Sequence, residues 1–426
     1  MPPISSPALR MTARAGLLGL ALAVPLPLAS QRTPSPSLTL ADVVALASAR
    51  HPALAAASAR RQGTVALALQ GSAFPNPVFE WRRENLDSPL TRDAFHTITQ
   101  PLDLTGRRVA LRAGARDLDR RGVSDSTTVM RDVEAGAARG FWRASLASAL
   151  FVLFEEQRLD ADRLARFEAD RAREGAVAEV VAMRTIVERD RARVAEASAR
   201  ADWLQALAEL ARAVGVAPES LPPVAALTAT LPRLESAPSA DAVVAMALDR
   251  RSELAALRAA RDAALHRVSA EQRGMLADVA VQAGTKQTAG YTTRVIGVAL
   301  PLPFFDRNTA ARDGASADLR LAQADLRTAE QVVRSQVAAA LGRYRELLAA
   351  HPTGVDSVVE RATEVARIAD AAYAAGGGSL LELLDARRAR TETLGAVLRW
   401  VADVQVAHLE LLRAIGASPL ASLELP

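Results

Sequence analysis

Two hydrophobic rhythms alternate along this chain. Over residues 78–84 the side chains switch at every step, with Phe79, Trp81 and Arg83 on one face and Glu80, Arg82 and Glu84 on the other. Residues 94–100 alternate again, Phe95, Thr97 and Thr99 against His96, Ile98 and Gln100. A period of two is that of a strand. Two such runs around a polar loop containing Pro89 predict a hairpin. Elsewhere the spacing is three and four. A helix is expected over 39–73, with Thr39 as N-cap, Asp42 three residues on and Val43, Val44, Leu46, Ala47 and Leu54 on its apolar face. Pro52 should kink or split it. From 106 to 173 one very long helix with one or two soft places is expected, carried by Val129, Val133, Ala137, Phe141 and Ala144. A break at 173–177 precedes a second long helix over 178–214, whose Val180, Met183, Val187, Val194, Ala201, Leu204, Ala208 and Ala211 fall near heptad positions. Gly215 closes it.

The same order then recurs. Val43, Val44, Ala47, Arg50 and Leu54 fall on Val243, Val244, Ala247, Arg250 and Leu254, an offset of 200. A second hairpin is expected from strands over 277–285 and 293–300, joined across 286–292. A third long helix runs from 307 to about 374, with Ala315, Leu319, Ala322, Leu326, Ala329 and Val333 stepping 4, 3, 4, 3, 4 and a kink at 351–354. A break at 375–379 leads into a last helix over 380–415, with Leu394, Val397, Val401, Val404, His408, Leu411 and Ile415 in register, closed by Gly416. The pattern-changing step of the first half, QPLDLTGRR at 100–108, is matched by LPLPFFDRN at 300–308, through Pro101 and Pro301, Leu102 and Leu302, Arg107 and Arg307. Repeats of this kind decide a fold. The organisation is therefore a first repeat over 31–215, a Pro-rich connector over 216–238, a second repeat over 239–417 and a tail over 418–426. The fold class is mainly α with a small β part, each repeat a β-hairpin with long antiparallel coiled-coil helices.

Composition narrows what such a chain does. Half of its 426 residues are hydrophobic, yet only 4% are aromatic, and the alanine surplus suits closely packed long helices rather than large globular cores. The formal net charge is +4 and Lys286 is the only lysine, so no basic block marks a nucleic-acid partner. There is no cysteine, which excludes disulfides, thiolate metal ligands and a cysteine nucleophile. Residues 1–30 read as a signal peptide, with Arg10 and Arg14 ahead of an apolar run broken by Pro25 and Pro27. The later helices are too polar to span a bilayer, so strands must make any crossing. Four strands cannot close a barrel alone, and open edges are not tolerated in lipid.

No catalytic constellation emerges. Gly376, Gly377 and Gly378 lack the Lys-Ser/Thr of a phosphate loop and follow no strand. The five histidines show no ligand spacing, so neither a metal site nor a cofactor is expected.

The combination of signal sequence, two tandem halves, hairpins and long helix pairs resembles the TolC family of outer-membrane efflux proteins. Leu38-Thr39-Leu40 and His51-Pro52-Ala53-Leu54 resemble the family's opening. Residues 100–108 are similar to the step of its CzcC-like metal-resistance branch. Tyr373-Ala374-Ala375-Gly376 with Leu380-Leu381-Glu382-Leu383-Leu384-Asp385-Ala386 is similar to its second helix tip. The resemblance implies a homotrimer with a twelve-stranded barrel in the outer membrane and a helical tunnel through the periplasm. It implies a passive duct for small molecules or metal cations, not an enzyme, docked on a periplasmic adaptor and an inner-membrane pump of the RND type. Adaptor contacts would fall at Glu174, Gly175, Ala176 and Val177, and at Gly376, Gly377, Gly378, Ser379 and Leu380. The first tip departs further from the family pattern than the second. Glu382 and Asp385 are candidates to ring the pore near the tips. The competing readings are a secreted or periplasmic coiled-coil scaffold, or an adaptor protein, without a pore.

Overall fold

The computed structural model describes residues 37–87, 92–227, 239–274, 279–350 and 355–421. The expected signal peptide, the Pro89 loop, the later part of the connector, residues 277–278 of the third expected strand, the kink at 351–354 and the last five residues of the tail lie outside the described residues.

Helix α1 (Leu40–Arg50) opens on a capping box. The Thr39 hydroxyl accepts from Asp42 N at 3.3 Å, and the Asp42 carboxylate accepts from Thr39 N at 3.0 Å. Pro52 does not kink a continuing helix. It begins a new one, α2 (Pro52–Gly71), at the first helical position, where a missing N–H costs nothing. Helix α3 (Arg107–Arg173) then runs for 67 residues, about 100 Å at the α-helical rise. The soft places expected within it are absent. α4 (Glu179–Val214) returns beside it and ends at Gly215, whose φ is +82°.

A short 3-10 turn (Pro218–Ser220) follows. The connector, which carries no periodic pattern, is nonetheless clipped to the start of the described chain. Leu38 N donates to Pro223 O at 2.8 Å and Ala225 N to Leu38 O at 2.9 Å.

Next come α5 (Ala240–Arg250) and α6 (Ser252–Arg273), then α7 (Thr309–Ala349), α8 (Val355–Ala374) and α9 (Leu380–Ala414). α3 packs along α2, α4, α6 and α9, and so joins the earlier and later helices.

Two apolar cores lie between these helices. One gathers Val43, Ala47, Val133, Ala137, Phe141, Ala144, Leu210 and Val214. The other gathers Val243, Ala247, Leu254, Val333, Val337, Leu341, Tyr344, Val404, Leu411 and Ile415. Val44, Ala138 and Leu409 form a smaller cluster of α1, α3 and α9. Deep in the second core the Tyr344 and His408 rings sit 5.5 Å apart. Burial pushes the Tyr344 phenol up to about 12 and the His408 imidazole down to about 4.

Most of the heptad residues of α4 lie on its outward face. Val180, Met183, Val187, Val194 and Leu204 are exposed, while Ala182, Thr185, Ala192, Ala199, Ala206 and Leu210 face α3. α3 and α4 approach too closely for large side chains along most of their contact, so alanine takes the inner seam. At Gly140 even a Cβ would come within 3.3 Å of the Leu210 Cα.

One antiparallel sheet holds all four described strands in the order β1 (Val78–Glu84), β2 (Asp93–Leu102), β3 (Val279–Thr288) and β4 (Tyr291–Ala299). The seven-residue loop expected at 286–292 is mostly strand. β3 and β4 meet at a two-residue turn, Ala289-Gly290, with φ of +48° and +90°. Positive φ at both positions is the turn whose twist matches a hairpin. Alternation alone did not reveal this extension, because Lys286, Gln287 and Thr288 read as loop by composition.

Candidate functional site

Three places carry the chemistry of this chain: the faces of the sheet, the junction where strands become helices, and the helix tips.

The register sorts the strands into two unlike faces. Phe79 pairs with Ile98, Ile98 with Ala283 and Ala283 with Ile296. Gln100 pairs with Val281, and Val281 with Val298. This face is largely apolar but open to solvent, with Ile296 82% exposed. Trp81, His96, Thr285 and Arg294 lie on it one row nearer the hairpin turns. The opposite face carries Glu80, Arg82 and Glu84, Asp93, Thr97 and Thr99, Gln282 and Lys286, and Thr293. There Lys286 Nζ lies 2.9 Å from Asp93 Oδ2, and the Thr288 hydroxyl donates to Asp93 Oδ1 at 2.5 Å. Lys286 and Arg82 both stand over the Phe95 ring, at 5.1 and 4.8 Å from its centroid. An exposed apolar face backed by a polar one is the reverse of a soluble sheet and is what a membrane barrel requires. Among the described residues no helix is long and apolar enough to cross a membrane.

At the junction, the motif at 100–108 has a physical reason. The Asp103 carboxylate accepts from Thr105 N at 3.1 Å, Thr105 Oγ1 at 2.9 Å, Arg107 N at 3.2 Å and Arg108 N at 2.7 Å. It thereby satisfies open N–H groups at the start of α3. Burial works against its ionisation, but these bonds outweigh burial and hold its carboxyl below the usual value. Glu271, buried at the end of α6, takes Arg107 Nη2 at 3.2 and 3.1 Å and Asn308 Nδ2 at 3.0 Å. Its acidity is set the same way: burial opposes the charge, and Asn308 and Arg107 more than restore it. One carboxylate thus ties the ends of α3, α6 and α7 together.

The two tips share one turn. After α3, Gly175 takes φ of +76°, Ala176 N donates to Arg171 O at 2.8 Å and Gly175 N to Ala172 O at 3.0 Å. After α8, Gly376 takes φ of +74°, Gly377 N donates to Ala372 O at 2.9 Å and Gly376 N to Tyr373 O at 3.0 Å. This is the left-handed glycine stop with its paired back-bonds. The following helices start differently. Ser379 and Glu382 form a full capping box, at 2.9 and 3.2 Å, whereas Ala178 offers no side-chain cap. Glu174, Gly175, Ala176, Gly376, Gly377 and Ser379 are exposed, and Val177, Gly378 and Leu380 are half-buried. Glu382 and Asp385 share an exposed face of α9.

A cluster absent from the sequence reading joins the tips. Glu168 is fully buried and pairs with Arg171 at 3.1 Å, and Arg171 Nη1 lies 3.4 Å from the Tyr373 hydroxyl. Burial first, then the bond to Glu168, pushes the Tyr373 phenol up to about 12. A carboxylate following Leu164 and Ala165 on the buried stripe of α3 was the available signal. Arg388 reaches Glu188 at 3.4 Å, linking α9 to α4.

Comparison with known proteins agrees with this architecture. Residues 243–417 match the family described as outer membrane efflux protein. The chain is 28% identical over 375 residues to the cobalt-zinc-cadmium resistance protein CzcC of Cupriavidus metallidurans, covering 84% of this chain and 86% of that one. Its fold is similar to that of the channel CusC, with a TM-score of 0.73 at 18% identity over 90% of this chain and 93% of the other. It is similar too to the outer membrane protein VceC of Vibrio cholerae, with a TM-score of 0.74 at 17% identity over 89% and 96%. Strands with a lipid-suited face, capped junctions and paired helix tips thus accompany a match to the outer membrane efflux protein family over residues 243–417 and a fold similar to that of outer-membrane channels.

Proposed function

We propose that three copies of this chain close a twelve-stranded barrel, β4 of one protomer pairing with β1 of the next, and continue as a helical tunnel that passively conducts its cargo. The single observation that carries this reading is the four-stranded sheet with an exposed apolar face, a polar face behind it and two unpaired edges. Such edges in lipid must be paired by another copy. The exposed seam of α4 (Val180, Met183, Val187, Val194, Leu204) supports it, because a stripe of this length suits a neighbouring helix. The equivalent burial of Val43 and Ala47 with Val243 and Ala247, all fully buried, supports descent of the two halves from one unit.

The tips are the docking surface for a periplasmic adaptor, through residues 174–177 and 376–380, with an inner-membrane pump of the RND type behind it. Glu382 and Asp385 ring the entrance. Because the Glu382 carboxylate is occupied by Ser379 N, Asp385 is the freer of the two to meet cargo. The relative CzcC is named for cobalt, zinc and cadmium resistance, and divalent metal cations are the cargo we assign here. The scaffold and adaptor readings do not account for an apolar sheet face.

Mass analysis of the protein extracted in mild detergent tests the assembly. A trimer is expected. A stable monomer or dimer that a urea wash releases from the membrane overturns the duct. Deletion of the gene in its host should raise sensitivity to cobalt, zinc or cadmium, and an unchanged tolerance would remove metals as cargo while leaving the channel intact.

A further inference from the structure

β2 and β4 run parallel to each other, since each is antiparallel to β3, so their C-terminal ends lie at one end of the sheet. β1 begins at that end too, because Val78 pairs with Thr99. From this end α3 and α7 depart. Beside their polar residues, the segments here expose apolar side chains. Leu300, Leu302, Phe304 and Phe305 follow β4, Leu104 follows β2 and Phe74 precedes β1, and all are exposed. Phe304 is 70% exposed, and Phe305 at 103% stands wholly clear of the protomer. A short turn, Phe304 N to Leu302 O at 2.9 Å, aims the pair of rings. Exposed Arg307 follows two residues on, and the equally exposed Asp306 is engaged in accepting from Asn308 N at 2.8 Å.

We propose that the 300–305 loop is a foot seated in the periplasmic leaflet of the outer membrane, with Phe304 and Phe305 at the boundary of acyl chains and headgroups and Arg307 at the lipid phosphates. It rests on the barrel reading above. Lipid is the occupant because the foot continues the apolar face: Ile296 and Val298 lead along β4 straight into Leu300 and Leu302. Aromatic rings beside a cationic side chain at the foot of a barrel match an interfacial layer, where both the ring and its polar neighbour are accommodated. The foot fixes how deep the barrel sits and where the helical part begins.

The absence of cysteine makes a direct test available. F305C, F304C, I296C and T293C each provide a single site for a nitroxide label in the full-length channel, reconstituted in phosphatidylethanolamine–phosphatidylglycerol vesicles. Collision with oxygen, which concentrates in lipid, is compared with collision with a water-soluble nickel chelate. Labels at 304 and 305 should favour oxygen several-fold and lie shallower than 296, with 293, on the polar face, reached by the chelate. If 305 is open to the chelate while 296 stays in lipid, the foot is wrong and the barrel stands. If 305 is shielded from both reagents, a second copy of the chain covers it and the foot is wrong. If 296 is also in water, the barrel reading falls and the foot with it.

Discussion

Asp103 is one side chain that does the work of several. It receives four hydrogen bonds at the start of a 67-residue helix. Replacing it with alanine leaves Arg108 N without its acceptor and Arg107 N with only the longer bond to the Thr105 hydroxyl, and should destabilise the protein by about 1–2 kcal/mol, visible as a lower melting temperature with the assembly unchanged. His408 makes a prediction about pH. Its folded-state value of about 4 lies below the ordinary 6.5, so between these two values the unfolded chain binds a proton that the folded chain refuses. Stability should be full above 6.5 and decline as pH falls from 6.5 toward 4. Denaturant titrations across that window should show a shallower decline in H408F, and an identical slope in both proteins would place the dependence elsewhere. Gly376 is the third case. Its φ of +74° makes alanine there cost roughly 1–2 kcal/mol, and the loss should appear as faster proteolysis at the second tip. Legibility at this scale was uneven. The capping roles of Thr39 and Ser379 lie within three residues of their partners, and spacing can find them. Glu271 meets Arg107 across 164 positions, and no local pattern reports that.

At the scale of elements, the sequence conveyed the kinds and the order of helices and strands because long periodic runs carry strong signals. It left open which face of α4 turns inward. Periodicity weights large apolar residues, whereas the tight approach to α3 selects alanine, so the conspicuous seam is the outward one. That outward seam makes a prediction of its own. V194D introduces a charge into a position 71% exposed in the protomer. It should leave helix content intact and dissociate the proposed trimer, as read by native mass analysis. A trimer as stable as the parent would mean that another surface joins the copies. The exposed tip residues and the cluster of buried Glu168 with half-buried Arg171 and Tyr373 divide their labour similarly: the first present a surface, and the second holds the two turns in a fixed relation. Y373F removes the hydroxyl beside Arg171, and its expected effect is a larger single-channel conductance in planar bilayers with assembly retained.

For the whole molecule, the sheet sets the order of events. β2 and β3 are neighbours in space, yet 176 residues separate Leu102 from Val279. The β1–β2 hairpin emerges early from the ribosome and must wait for nearly two hundred more residues before its free edge is covered. Contacts so distant along a chain form late, because their loop-closure entropy is met only when the ends are already close. The helices, built from local contacts, are expected to form first and to carry the hairpins toward each other. Membrane insertion then becomes the final act of folding, open only to a chain that is already whole. A fragment ending before residue 279 would keep an unsatisfied strand edge, the very feature that periplasmic quality control has to recognise.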